Sequence, residues 1–335
     1  MPNPLESIQT LFPTRTVAII GDLVADQFLS GTISRVSREA PVFIMRHEQT
    51  ATLPGGAANA AANAAALCGK ALLVGVVGKD ENGKKLMAAL GEARVDTSGV
   101  ITDQEVVTTT KVRVLAGQQH AAKNQVIRID YEGGKELPAD IVQRLSENLI
   151  TAARAADVIV VSDYNYGVVL PEIFADALTI ARERSIPLVV DSRFRLENFH
   201  GATSATPNQD EVEQILGPNF TNADCEGLRS RLGLKSLVVT NGNKGMSVFF
   251  ANSEAVSISA VGSPTAVDVT GAGDTVIAVY ALGLAAGLDF VEAAKIANHA
   301  GGIVVMKNRT ATVSASELVE SVRRQPLSAQ FNEAG

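Results

Sequence analysis

The sequence predicts a three-layer α/β/α protein with a mostly parallel central sheet and a small β-sheet lid. Three observations predict it. Short apolar runs alternate with helical patterns, each run ends in Gly, Asp, Ser or Asn, and two stretches break that alternation. Strands apolar on both faces and separated by helices belong to parallel sheets covered on both sides.

The runs are "TVAIIGD" (16–22), "ALLVGVVG" (71–78), "DVIVVSD" (157–163), "PLVVDS" (187–192) and "SLVVTNG" (236–242). Helices are expected over 57–67, 82–93, 138–155, 171–185, 224–232, 271–287 and 290–306. Polar punctuation falls at the carboxyl ends of the runs, at Asp22, Asp163, Asp191, Asn208 and Asn241. That is where open α/β sheets bind ligands. Segments 24–50 and 105–131 alternate polar with β-branched residues and hold no helix, so they are expected to form the lid; the alternative is an extended edge of the main sheet. The whole chain, 1–335, is expected to be one domain with these two segments inserted, and the final "RRQPLSAQFNEAG" a fraying tail.

Bulk properties exclude several classes. With Lys+Arg 29 against Asp+Glu 36 the net charge is −7, and no basic stripe marks a nucleic-acid surface. Aromatic content is 4% with no Trp, so stacking platforms are scarce. No apolar stretch of about 18 residues suggests a membrane span. The N-terminus lacks a basic n-region, and two distant cysteines, Cys68 and Cys225, suit a reduced cytoplasmic protein.

Four stretches can carry chemistry. "DVTGAGDT" (268–275) opens a helix with Gly271, Ala272 and Gly273, whose small side chains leave the amides open, and Asp268 or Thr270 as cap. Such amides and the helix dipole favour an anion, yet Asp274 places a carboxylate beside them. The pairing makes sense if Asp274 takes a proton from a hydroxyl attacking a phosphoryl group; the alternative is a first-turn Asp complementing the dipole. "GGAANAAAN" (55–63) sets Gly55 and Gly56 before Asn59 and Asn63 on one helical face, suited to sugar hydroxyls or to tight packing. "TPNQDEVE" (206–213) pairs Asn208 with Glu211, either water-mediated Mg²⁺ ligands or an ordinary cap. "VVTNGNKGMSVF" (238–249), with Gly242 and Gly245, is a hairpin or a phosphate-grazing loop. "GKDENGKK" (78–85) lacks the final Ser/Thr of a P-loop, and no G-x-G-x-x-G follows the first strand, which argues against a dinucleotide-dependent dehydrogenase.

In order along the chain stand an Asp after the first strand, GG-x-x-N, N-x-x-E, T-x-G-x-x-G and D-x-T-G-A-G-D. This series resembles the ribokinase family of sugar kinases from about residue 14 to 318 and implies a ribokinase-like fold. The resemblance implies ATP as donor, Asp274 as catalytic base, and Gly271, Ala272 and Gly273 as the cradle of the transferring phosphoryl group. It implies Asn208 and Glu211 at Mg²⁺, and Asn208, Thr240, Gly242, Gly245 and Asn298 around the nucleotide, with room for a monovalent cation such as K⁺. Asp22, Gly55, Gly56 and Asn59 are implied to hold the sugar. "GDLVADQFLSGTISRVSREAPVFI" and "TTTKVRVLAGQQ…QVIRIDYE" are similar to the kinase domain of ADP-heptose synthesis enzymes, which phosphorylates D-glycero-β-D-manno-heptose 7-phosphate at its anomeric hydroxyl. In that case Lys111, Arg113 and Arg128, or Arg193, would meet the substrate's own phosphate; otherwise they are solvated lid residues. No H-x-G-H motif of a nucleotidyltransferase occurs, and "HAAKN" (120–124) reads as an insertion in the lid. Other acceptors (fructose, ribose, nucleosides) and a non-catalytic sugar sensor stay open. The expected partners are the sugar and ATP, with a homodimer formed through the lid and neither nucleic acid nor membrane.

Overall fold

The computed structural model describes residues 3–118, 123–134, 136–263 and 265–327. A short N-terminal helix α1 (Pro4–Glu6) precedes β1 (Thr16–Gly21), β2 (Leu23–Val36), β3 (Phe43–Gly56), α2 (Ala57–Ala65), β4 (Lys70–Gly78), α3 (Glu81–Glu92) and β5 (Asp96–Asp103). Then come β6 (Thr110–Gly117), β7 (Asn124–Tyr131), α4 (Ala139–Ala155), β8 (Val158–Asp163), α5 (Pro171–Arg184), β9 (Leu188–Ser192) and β10 (Ser204–Ala205). The C-terminal part holds α6 (Gln209–Leu216), α7 (Asn222–Arg231), β11 (Ser236–Thr240), β12 (Met246–Phe250), β13 (Val256–Ile258), α8 (Ala272–Ala285), α9 (Phe290–Val304) and α10 (Ala315–Arg324).

Nine strands form one sheet in the order β13-β12-β11-β10-β9-β8-β1-β4-β5, parallel except at β12 and β13. Alternation along the inner strands divides the core between its two faces. Val17 and Ile19 of β1 pack with α2, α8 and α9, whereas Ala18 and Ile20 pack with α4, α5 and α7. That period of two builds three layers from strands that are apolar on every residue. Helix α8 is buried continuously from Asp274 to Leu284, which explains its unbroken apolar run.

The second sheet has four strands in the order β3-β2-β6-β7. It is separate from the main sheet, as the lid segments predict, and β3 runs six residues beyond the expected end at 50. β2 starts two residues after β1 ends, and β3 leads directly into α2, so this sheet stands at the carboxyl edge of β1. Every residue of β7 is exposed, with Val126, Ile127, Ile129 and Tyr131 each 42–54% accessible.

Several elements differ from expectation. β5 pairs parallel with β4 but carries Asp, Ser, Thr and Gly, so no apolar run announces it. β10 has two residues, too short for any periodic signal. The expected fraying tail is partly ordered, since Arg323 and Arg324 belong to α10 and Leu327 is buried. The stretch 120–124 lies outside the described residues except for Lys123 and Asn124, and the tail from 328 onwards lies outside them as well. Both cysteines are free, and burial pushes each thiol up to about 11. Among the described residues no helix is long and apolar enough to cross a membrane.

Candidate active site

The first turn of α8 is capped differently from the expectation. Asp268 and Thr270 do not cap it: Asp268 accepts from Thr270 N and Arg309 N, both at 2.9 Å, and so ties the loop before α8 to the loop after α9. The cap position is Gly271, at φ +77°, with no side-chain bond to the helix. This left-handed geometry favours glycine, and a Cβ there would collide with the Asn59 amide. The Ala272 N–H reaches Val269 O at 3.3 Å, while those of Gly273 and Asp274 meet no protein acceptor among the described residues. A Cβ on Gly273 would meet open space. The result is a helix N-terminus whose donors remain available to an anion.

Asp274 sits two residues inside this turn and is 2% exposed. Its Oδ1 accepts from the Tyr164 hydroxyl and its Oδ2 from Asn59 Nδ2, each at 2.8 Å. Burial raises its pKa to about 6; the two donors and Lys111 pull it down, and the Asp26 charge pushes it up. A carboxylate of that pKa is ionised at neutral pH yet basic enough to take a proton.

α2 supplies Asn59 from its first turn. Gly56 caps α2 at φ +59°, and a Cβ there would stand 2.7 Å from Asp22 O. Gly55 packs on the Asp26 carboxylate. Asp22, expected to hold a sugar, spends both oxygens on the turn after β8: it accepts from Tyr164 N (2.8 Å), Tyr166 N and Val168 N (3.1 Å each). Its observed part is to fasten the turn that presents Tyr164. Asn63 does not face the site either; it is fully buried beneath Asn59.

The cations of the second sheet converge on the same place. Lys111, 9% exposed, lies 5.2 and 5.5 Å from the ring centres of Tyr164 and Tyr166. Burial holds its pKa below the usual lysine value, opposed by the Asp26 charge. Arg113 pairs with Asp26 and stacks 5.5 Å from the Phe28 ring. Arg193, after β9, lies 5.8 Å from the Tyr164 ring. Arg128 stands at the solvent end of the group, where Asp130 holds it with two 2.9 Å bonds. From the main body Arg309 approaches the Phe28 ring at 5.5 Å. Between the sheet and this loop lies a cleft of about 1080 Å³, lined by Phe28, Arg113, Lys123, Asp268, Thr270 and Arg309.

Asn208 and Glu211 form a reciprocal capping box on α6, with Asn208 Oδ1 accepting from Glu211 N and Glu211 Oε2 from Asn208 N, both at 2.9 Å. Beside them Asp191 has its pKa pushed well up by burial and by the Glu211 and Asp274 charges. Among the described residues no three His, Cys, Asp or Glu side chains converge as direct metal ligands. Two crowded carboxylates nevertheless fit a cation held through water, which relieves their repulsion. Thr240 joins this corner through a parallel bridge to Asn208. Gly242 and Gly245 flank the tight turn between the antiparallel strands β11 and β12. Asn298, on α9, donates to Ser259 O at 2.7 Å. The "GKDENGKK" loop is a structural lock: Asp80 accepts from Gly83 N (2.7 Å) and Thr108 N (2.9 Å).

The site therefore gathers Asp274 of α8, Asn59 of α2, and Lys111 and Arg113 of β6 from three separate segments. Asp26, Phe28, Tyr164, Tyr166 and Arg309 belong to it and escape sequence reasoning. "DYNYG" directly after the strand at 157–163 was the available signal for the tyrosines. Asp26 and Arg309 had none, because pairing across β2–β6 and the Asp268 link bring them in.

A nine-stranded sheet with a second sheet at its carboxyl edge and a buried carboxylate beside a glycine-capped helix defines a ribokinase-like protein. The sequence profile described as pfkB family carbohydrate kinase matches residues 16–317, and the chain belongs to that family. Proteins described as bifunctional protein HldE are similar to it. That of Geobacter sulfurreducens is 38% identical over 310 residues, 91% of this chain and 62% of that protein. Those of Citrifermentans bemidjiense and Pelobacter propionicus are 40% and 36% identical, over 91% and 95% of this chain. The chain thus spans 62–65% of the length of these relatives. Among solved structures, Arabidopsis thaliana ribokinase complexed with ribose and ATP superposes with a TM-score of 0.71 at 20% identity, covering 92% of this chain and 99% of that one. Escherichia coli phosphofructokinase-2 in complex with potassium superposes at 0.74 and 18% identity, covering 94% and 99%. Both show the shared fold.

Proposed function

We propose that the protein transfers the γ-phosphoryl group of ATP to the anomeric hydroxyl of D-glycero-β-D-manno-heptose 7-phosphate. One observation carries the phosphotransfer: Asp274, with a pKa of about 6, sits in the same helical turn as the open Gly273 amide. The acceptor hydroxyl gives its proton to Asp274. Its oxygen forms the new bond to phosphorus as the bond to the β,γ-bridging oxygen breaks, and ADP leaves. The open amides of Gly273 and Asp274, in the turn shaped by Gly271 and Ala272, hold the charge on the moving phosphoryl oxygens.

Asn208 and Glu211, with Asp191 beside them, would hold Mg²⁺ through water, and Mg²⁺ neutralises nucleotide phosphate charge when bound. Thr240, Gly242, Gly245 and Asn298 are assigned to the nucleotide, and the K⁺-bound relative supports a monovalent cation as a further requirement. Gly55, Gly56 and Asn59 border the sugar. The acceptor assignment rests on the similarity to HldE proteins and on the cations Lys111, Arg113 and Arg193, which suit a substrate that already carries a phosphate. The second sheet acts as a lid that excludes water while the phosphoryl group moves, in a cytoplasmic enzyme.

The test is an ATP-consumption screen with heptose 7-phosphate, fructose, fructose phosphates, ribose and nucleosides. Heptose 7-phosphate is expected to give the highest kcat/KM, and a rate equal to the sugar-free blank refutes the acceptor assignment. Asp274→Asn is expected to lower kcat by about 10²–10⁴ while nucleotide affinity holds. A variant turning over near the parental rate removes Asp274 as base.

A further inference from the structure

Asn63 lies one helical turn after Asn59 on α2 and is fully buried among alanines. Its Nδ2 donates to the main-chain oxygen of Asn59 and to Asn59 Oδ1, both at 3.1 Å. A main-chain carbonyl can only accept, so it dictates which end of the Asn63 amide faces it. The same nitrogen then meets Asn59 Oδ1, which turns Asn59 Nδ2 towards Asp274 Oδ2 (2.8 Å) and Gly271 O (3.2 Å). Asn63 Oδ1 is buried with no partner among the described residues. That orphaned acceptor carries a cost, and an alanine would avoid it in this helix of alanines.

We propose that Asn63 is a positioning residue for phosphoryl transfer: acting through Asn59, it keeps an N–H donor trained on the proton-accepting carboxylate of Asp274. The inference rests on the assignment of Asp274 as base. Asp274 is also faced by Tyr164 from the turn after β8, Asp26 from β2, Lys111 from β6 and Asp191 from the end of β9. Only the Asn59 donor depends on Asn63. Loss of that donor withdraws stabilisation from the ionised carboxylate, so the acid limb of the rate profile moves to higher pH.

The experiment compares pH profiles of kcat/KM, with ATP and heptose 7-phosphate, for the parent, Asn63→Leu, Asn59→Ala and the double variant. Asn63→Leu is expected to move the acid limb upward by about half a pH unit or more, and to move it no further once Asn59 is alanine. A merely structural residue would depress the rate equally at every pH and add to the Asn59 effect. An acid limb at the parental pH in folded Asn63→Leu overturns the proposal. If Asn63→Leu does not fold, the parent protein still decides, through the ¹⁵N signal of the Asn63 side-chain amide. That signal should titrate near pH 6 together with Asp274, and an unresponsive signal overturns the proposal. An active Asp274→Asn would instead refute the base assignment, so the two failures are distinguishable.

Discussion

The role proposed for Asp274 sets two demands: a base must be ionised at working pH, and a site that moves phosphoryl groups must be dry. Burial raises the pKa to about 6, and the donors Asn59 and Tyr164 stop it from rising further. Turnover requires the ionised form, so kcat/KM is expected to be flat above pH 7 and to fall about tenfold per unit below pH 6. A profile flat down to pH 5 contradicts this. Stability runs the other way. The folded pKa exceeds the unfolded value near 3.8, so the bound proton stabilises the fold fully below 3.8, and that contribution is lost as pH rises through about 6. Asp274→Asn, which stays neutral, should therefore raise the stability at pH 8 by up to about 3 kcal/mol. Thermal melts at pH 8 and pH 4 check the sign: the gain should vanish at the lower pH.

At the scale of elements, the start of α8 concentrates the demands on backbone geometry. Gly271 needs φ +77° and leaves no room for a Cβ beside Asn59. Gly271→Ala is expected to cost about 1–3 kcal/mol in stability and, by pushing Asn59 off Asp274, to lower kcat far more than it raises KM for ATP. An alanine variant with parental kcat and melting temperature refutes that account. The signature "DVTGAGD" was legible as a helix start with open amides. Its cap was not: Asp268 and Thr270 have the chemistry of caps, but Asp268 is drawn off to Arg309 N, 41 residues away. The same logic hid Asp22, whose carboxylate is consumed by amides more than 140 residues along the chain. Side-chain chemistry is local, whereas the acceptor or donor that claims it is chosen by folding.

For the whole molecule, the exposed outer strand of the second sheet has a consequence. β7 shows Val126, Ile127, Ile129 and Tyr131 to solvent, and β3 shows Phe43, 65% accessible. An unpaired edge strand with apolar residues invites a second copy. The protein is expected to sediment as a homodimer at micromolar concentration, and Ile129→Lys to shift it to monomer with weaker lid closure and a higher KM for sugar. A parent that sediments as a monomer excludes the lid-mediated dimer.

The three layers, the buried apolar strands with the helices between them, the two segments of the small sheet, and the glycine turn that carries Asp274 were legible in the sequence alone. The order of the strands and the separation of the small sheet were not. The legible features follow from periodicities of two and 3.6 and from the backbone freedom of glycine, which act over a few residues. Only the tertiary structure decided that Asn59 and Tyr164 clasp Asp274, that Asp26, Phe28 and Arg309 belong to the cleft, and that Asp22 serves as a bracket. Each of these depends on segments far apart in the chain meeting at the carboxyl edge of β1, and no local pattern encodes that meeting. "DVTGAGDT" marks a helix start with open amides and a carboxylate beside them, and the fold around it supplies the donors that tune that carboxylate.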